Sequence, residues 1–212
     1  RLLNMQLRKD VCSSGTKPPV FFDFIAVRID NGVYDPAILE KWSKEDVEKF
    51  ESFTNHSRDD LFTYAGLQQL IDKYLVKNRS TGEMFETTQF AYMLIAMCLF
   101  DNVTEVKRAY DAYSTFKINL PTPIMAGVRT TIKQFASCAL VDVDDDLDSI
   151  FSSIHAVGKY TARRAGIGLN MGRIRPINAP IRGGEVIHTG LIPYLKNFES
   201  AVKSTSQNGL RG

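Results

Sequence analysis

The chain has 212 residues, with 26 Lys and Arg against 24 Asp and Glu and 44% apolar residues, which excludes a disordered or low-complexity protein. Its three cysteines, Cys12, Cys98 and Cys138, are odd in number and widely spaced, so neither a disulfide framework nor a CxxC zinc site is expected. The longest apolar run, Phe90 to Phe100, is too short to cross a bilayer, and no charged-then-apolar leader opens the sequence; a soluble protein of a reducing compartment is expected.

In chain order, the first hundred residues read as helical. Ser43-Lys-Glu-Asp46 has capping-box spacing, with Val47, Phe50 and Phe53 following on one face. Tyr64, Leu67, Ile71 and Tyr74 recur at spacings of three and four, the stripe of an amphipathic helix. A polar turn at Asn78 to Gly82 precedes Thr87 or Thr88, either of which can cap a strongly apolar helix running to Phe100. A short helix is predicted from Glu105 to Tyr113. The pattern then changes. Phe116 to Leu120 alternates like a strand that Pro121-Thr-Pro123 stops, and Phe135 to Val143 is a second strand candidate. A helix from Asp145 to Arg164, a glycine-interrupted strand from Gly166 to Arg175 and a helix from Pro193 to Ser206 follow. This alternation predicts α/β architecture in the second half.

Charge is distributed unevenly. Residues 161–212 hold eight basic residues against Glu185 and Glu199, and eight of the 14 glycines. Guanidinium forks and bare backbone N–H groups suit phosphate oxygens, although a solvated basic face with tight turns explains the same composition. The basic residues form no dense stripe of the kind nucleic acid requires.

Several motifs fail on spacing. Asp142, Asp144 and Asp146 suggest a calcium loop, but Leu147 stands where glycine is needed and Ser153 where a bidentate Glu is needed. Gly166-Ile-Gly168-Leu-Asn-Met-Gly172 misplaces the third glycine of a dinucleotide fingerprint, and Gly158-Lys159 lacks the rest of a phosphate loop. His56, His155 and His188 are too scattered for a metal cluster, and no nucleophile elbow supports a triad of Ser137, His188 and an Asp. Cys138 is either a buried inert thiol or a reactive one.

Longer blocks are more specific. Leu120-Pro-Thr-Pro-Ile-Met-Ala-Gly-Val-Arg-Thr130, Gln134-Phe-Ala-Ser-Cys138, Arg164-Ala-Gly-Ile-Gly-Leu-Asn170, Ile181-Arg-Gly-Gly-Glu185, His188-Thr-Gly190 and Ala201 to Gly212 together resemble the large, catalytic subunit of class I ribonucleotide reductase. Tyr34-Asp-Pro36, Phe62-Thr-Tyr64 and Lys73-Tyr-Leu-Val-Lys77 extend the resemblance through the helical half. It implies an α/β fold: a mainly helical N-terminal domain followed by the first half of a ten-stranded α/β barrel. The implied domains are residues 1–20 as the end of a regulatory ATP-cone and linker, 21–115 as the helical domain, and 116–212 as the half-barrel with the specificity-effector site.

The resemblance further implies reduction of ribonucleoside diphosphates to deoxyribonucleoside diphosphates. In it Cys138 is the redox cysteine acting at the ribose 2′ position. Thr122 and Ser137 contact the substrate diphosphate and ribose, and Ala165 and Gly166 approach the base. A dNTP or ATP effector with Mg would use Asp145, Asp146 and Leu147 for its sugar and Arg175 and Arg182 for its triphosphate, while Gln207 and Arg211 relay effector identity. No covalently bound cofactor and no metal ligand are expected in this chain; the radical would come from a metal-containing small subunit. Expected partners are a complementing C-terminal large-subunit chain, a second large subunit, the small radical subunit, and glutaredoxin or thioredoxin, in the cytoplasm, with no nucleic acid or membrane. The chain by itself is expected to be inactive. The rival expectation is a non-catalytic dNTP-binding and assembly module derived from the same subunit.

Overall fold

The helices of the first half form where apolar periodicity and a capping side chain coincide. In the computed structural model, which describes residues 1–12, 17–78, 80–163 and 165–206, the chain divides into two compact units, Arg1–Phe135 and Ala136–Gly212. The division falls some twenty residues beyond the change in sequence pattern at Phe116.

The first unit holds α1 (Leu2–Val11), α2 (Phe21–Asp30), α3 (Ala37–Lys41), α4 (Lys44–Phe53), a 3-10 turn (His56–Leu61), α5 (Tyr64–Lys73), α6 (Thr88–Leu99), α7 (Val103–Ser114) and α8 (Thr122–Gly127). The Ser43 hydroxyl accepts from Asp46 N–H at 3.2 Å and donates to the Asp46 carboxylate at 2.9 Å, which is the expected cap of α4. Asn102 caps α7 through Glu105 N–H at 2.9 Å and starts it earlier than predicted. In α5 the buried stripe is Leu67 and Leu70 with Ile71 half-buried, whereas Tyr64 points to solvent. Beyond its first turn α6 is apolar on every face, because the run Phe90–Met97 is buried on every face. The Phe90 ring lies 4.6 Å from both the Phe21 and the Phe24 ring, joining α6 to α2. Thr87 stands at its N-cap, yet no side-chain cap bond forms, and Thr88 instead donates to Asp59.

Two buried carboxylates hold this unit together. Asp59 accepts from Arg8, Thr88 and Gln89, and its backbone carbonyl accepts from Asn4, which ties α1 to the start of α6. Glu86 and Arg129, both fully buried, form an ion pair with a second bond at 2.8 Å from Arg129 Nε. Glu86 also accepts from the Tyr34 hydroxyl and Val76 N–H, and Arg129 donates to the carbonyls of Met125 and Tyr74. Burial and the Glu86 charge push the Tyr34 phenol well above its ordinary range, so it remains a donor.

The expected strand at Phe116–Leu120 does not form. Phe116 adopts a left-handed φ of 60°, and Lys117 and Ile118 N–H both turn back to the Ala112 carbonyl. Backbone donors spent on closing α7 cannot enter a ladder. Nor do Pro121 and Pro123 end an extended segment. They open α8, where a missing N–H costs nothing in the first turn.

The second unit contains β1 (Cys138–Asp142), α9 (Leu147–Ala162), β2 (Gly166–Asn170), β3 (Pro180–Ile181), β4 (Val186–Ile187) and α10 (Ile192–Ser206). The strands β1 and β2 are parallel, with Cys138 opposite Gly166 and Asp142 opposite Asn170, and α9 makes the crossover. The strands β3 and β4 form a short antiparallel hairpin that the sequence reading missed. Val143, Ile150, Val157, Met171, Ile174 and Phe198 form the core between the strands and the two helices. Both long strands are shorter than predicted. Asn170 ends β2 by donating to Asp142 at 2.8 Å while accepting from Gly172 N–H at 3.1 Å. The architecture is therefore a helical unit followed by an α/β unit, as expected. No helix among the described residues is long and apolar enough to cross a membrane.

Removing one partner of a buried ion pair strands the other charge. Glu86→Ala is therefore expected to destabilise the first unit by about 3–5 kcal/mol in urea unfolding, and the paired replacement Glu86→Leu with Arg129→Met by clearly less. Equal losses for both variants would show that the charge pairing is not what the fold depends on.

Candidate functional site

Cys138 opens β1 with its side chain exposed. The alternation along β1 sets Cys138, Leu140 and Asp142 on the exposed face, while Val141 packs on the core beneath α9. Ser137 precedes the thiol, with its hydroxyl 3.8 Å from Cys138 Sγ. The Gly166 N–H donates to the Ser137 carbonyl at 2.8 Å, which brings the glycine backbone beside the thiol. A Cβ at Gly166 would stand 3.9 Å from Cys138 Sγ and 3.5 Å from the Ser137 carbonyl oxygen, so glycine leaves the approach to the sulfur open. Ala165, next to it, is buried and bonds back to the Tyr160 carbonyl. Ser137, Cys138, Ala165 and Gly166 are thus brought together by one parallel register. Thr122 belongs to the first unit, at the start of α8, with its hydroxyl 3.4 Å from that of Tyr74.

The expected effector residues divide into four groups. Asp145 and Arg175 meet directly: the Arg175 N–H and Nε donate to the two carboxylate oxygens at 3.0 and 2.6 Å. These bonds hold the Asp145 carboxyl below its ordinary range, the backbone N–H of Arg175 contributing most. The carboxylate is therefore charged at neutral pH, and the pair loosens only as pH falls beneath the usual carboxylate range. Asp146 is engaged as the N-cap of α9, accepting from Ser149 N–H at 2.8 Å, and Leu147 begins that helix exposed. Arg182 stands exposed in the turn between β3 and β4 with a positive φ of 50°, and makes no hydrogen bond or ion pair to Asp145 or Arg175 among the described residues. Gln207 and Arg211 lie outside the described residues.

Asp142 and Asp144, read in sequence beside a calcium loop, both reach Arg173 at 2.6 Å. The sequence reading gave His188 no role. It is buried, its Nδ1 accepts from Gly190 N–H at 3.0 Å, and its ring stacks on Tyr194. In the sequence Tyr74 is a helix-face residue and part of the Lys73–Lys77 block; the Thr122 contact spans 48 positions and leaves no local signal.

Residues 60–133 match the family described as ribonucleotide reductase, all-alpha domain, and residues 136–212 that described as ribonucleotide reductase, barrel domain. The chain is 50% identical over 218 aligned residues to the ribonucleoside-diphosphate reductase 1 subunit alpha of Escherichia coli K12, covering all of this chain and 28% of that protein. It is 46% identical to the subunit alpha of Enterobacteria phage T4, again over all of this chain and 29% of the relative. For Treponema pallidum subunit alpha the identity is 30% over 90% of this chain. The chain therefore spans under a third of the length of these relatives.

Thiol chemistry should separate the three cysteines. Burial pushes Cys98 up to about 11 and also raises Cys12, which is buried, whereas Cys138 is exposed. At pH 8 a thiol of that acidity is thiolate in roughly one molecule in a thousand. Iodoacetamide followed by peptide mass spectrometry should label Cys138 at least about tenfold faster than the other two. Comparable rates would contradict the open approach across Gly166.

Proposed function

The chain belongs to the ribonucleotide reductase large-subunit family, and on that premise we propose that it carries part of the catalytic apparatus that reduces ribonucleoside diphosphates. In this reading the C2′ hydroxyl leaves as water, hydrogen takes its place, and two thiols surrender two electrons and two protons to become a disulfide. Cys138 supplies one sulfur. Cys12 and Cys98 are poor candidates for the other because burial disfavours their thiolates. The second sulfur then comes from the complementing C-terminal large-subunit sequence, without which this chain is inactive.

The single observation that carries the reading is the exposed Cys138 thiol, with Ser137 beside it and a side-chain-free Gly166 across the register. Thr122 and Ser137 take the substrate diphosphate and ribose, and Ala165 and Gly166 border the base. Asp145 and Arg175 take the sugar and triphosphate of a dNTP or ATP effector, exchanging part of their mutual bonding for the nucleotide, with Arg182 adding charge. Bound Mg on the effector phosphates offsets their charge. A small subunit with a metal-generated radical starts the chemistry, and glutaredoxin or thioredoxin restores the dithiol in the cytoplasm. Exposed apolar side chains on α9 (Leu147, Phe151) and α10 (Ile192, Leu195) support association with a second large subunit.

In the assembled enzyme, Cys138→Ser is expected to abolish turnover while dNTP binding, read by equilibrium dialysis, is retained. Asp145→Asn combined with Arg175→Met should weaken dNTP binding by about tenfold or more, the loss of two charge-assisted contacts. Turnover surviving in Cys138→Ser would make the thiol structural and favour a binding and assembly module.

A further inference from the structure

The Thr122 hydroxyl has a neighbour whose own position is fixed by the most deeply buried charges of the first unit. Tyr74 caps the C-terminus of α5, and its hydroxyl lies 3.4 Å from Thr122 Oγ1. Its backbone carbonyl accepts from Arg129 Nη2 at 3.1 Å. The same guanidinium donates to the Met125 carbonyl at 2.6 Å, inside α8. One buried cation therefore holds both the residue that contacts Thr122 and the helix that carries it. Tyr74, Met125 and Arg129 border a common cavity of only about 10 Å³.

We propose that Tyr74 is a positioning residue that sets the direction of the Thr122 hydroxyl toward a substrate phosphate, an inference that rests on the reading of Thr122 given above. The chemistry lies in how a hydroxyl divides its bonds: one proton to give and two lone pairs to receive. The phenol is the more acidic of the two groups and the better donor. When Tyr74 donates, Thr122 Oγ1 spends a lone pair inward and turns its proton outward, where an oxyanion can accept it. Were the direction reversed, Thr122 would present lone pairs to a phosphate and repel it. Arg129 and Glu86 act behind Tyr74 as the frame that keeps the two oxygens opposed. Tyr74 itself touches no reacting atom.

The test uses the complete large subunit bearing these residues, with the radical subunit, and one nucleoside diphosphate substrate. Tyr74→Phe keeps the ring and removes only the hydroxyl. It is expected to raise the substrate Kd and KM about three- to tenfold, the worth of one hydrogen bond, with kcat and Tm unmoved. In a Thr122→Val background the same replacement should add nothing, because the group it orients is gone. If Thr122→Val weakens substrate binding and Tyr74→Phe does not, the positioning role is wrong and the substrate reading stands. An equal effect of Tyr74→Phe in both backgrounds would also overturn it, by showing that the hydroxyl acts elsewhere. If neither replacement changes Kd, the assignment of Thr122 to the substrate fails and the inference falls with it.

Discussion

The ion pair between Glu86 and Arg129 is the constraint on which the first unit depends. Neither side chain reaches solvent, and a charge taken out of water costs several kcal/mol unless its partner and its remaining bonds are in place. Here they are. Glu86 receives Tyr34 and Val76 in addition to Arg129, and Arg129 gives to Met125 and Tyr74 in addition to Glu86. Four stretches of chain far apart in sequence are thereby held to one point. An apolar substitute could fill the volume, but it could not fix the direction of each segment.

A second polar hub performs the same task in the first turn of α6. Asp59 collects Arg8, Thr88 and Gln89, and so fixes the first turn of a helix whose remaining surface is wholly apolar. Apolar packing is non-directional, and a helix buried all round has no preferred face. The polar hubs at its entrance supply the rotation and depth that hydrophobic burial leaves open. The Thr87 hydroxyl, which has no partner among the described residues, belongs to this compromise: the first turn is held through Thr88 and Gln89 instead of an ordinary cap.

The second unit follows a different logic. Its ion pairs, among them Asp145 with Arg175 and Arg173 with Asp142 and Asp144, lie near the surface, where such pairs contribute little stability. They are correspondingly free to exchange partners with a charged ligand. The outer face of β1 carries an exposed leucine, Leu140, in line with Cys138 and Asp142. A parallel strand is ordinarily covered on both faces, and this face of β1 is open. Stability is concentrated where the first unit needs rigidity, and exposure where the proposed chemistry needs access.

Local pattern carried much of this into the sequence. The cap at Ser43, the all-apolar run of α6, the cap-rich entry to α9 and the helix after Pro193 were legible because each depends on neighbours within about a turn. The blocks around Thr122, Cys138 and Gly166 were equally legible and pointed to the family. The false strand at Phe116 shows the limit. Alternation over five residues is weak information, and the carbonyls of α7 claimed the backbone donors first. What the sequence by itself determined, then, was the helices α4 to α7, α9 and α10, the approximate places of β1 and β2, and the family blocks. The tertiary structure alone decided that Arg129 meets Glu86 across 43 positions, that Arg175 meets Asp145 across 30, and that Tyr74 stands beside Thr122. Such pairings depend on the path of the whole chain, and burial sets their strength, so no local window contains them.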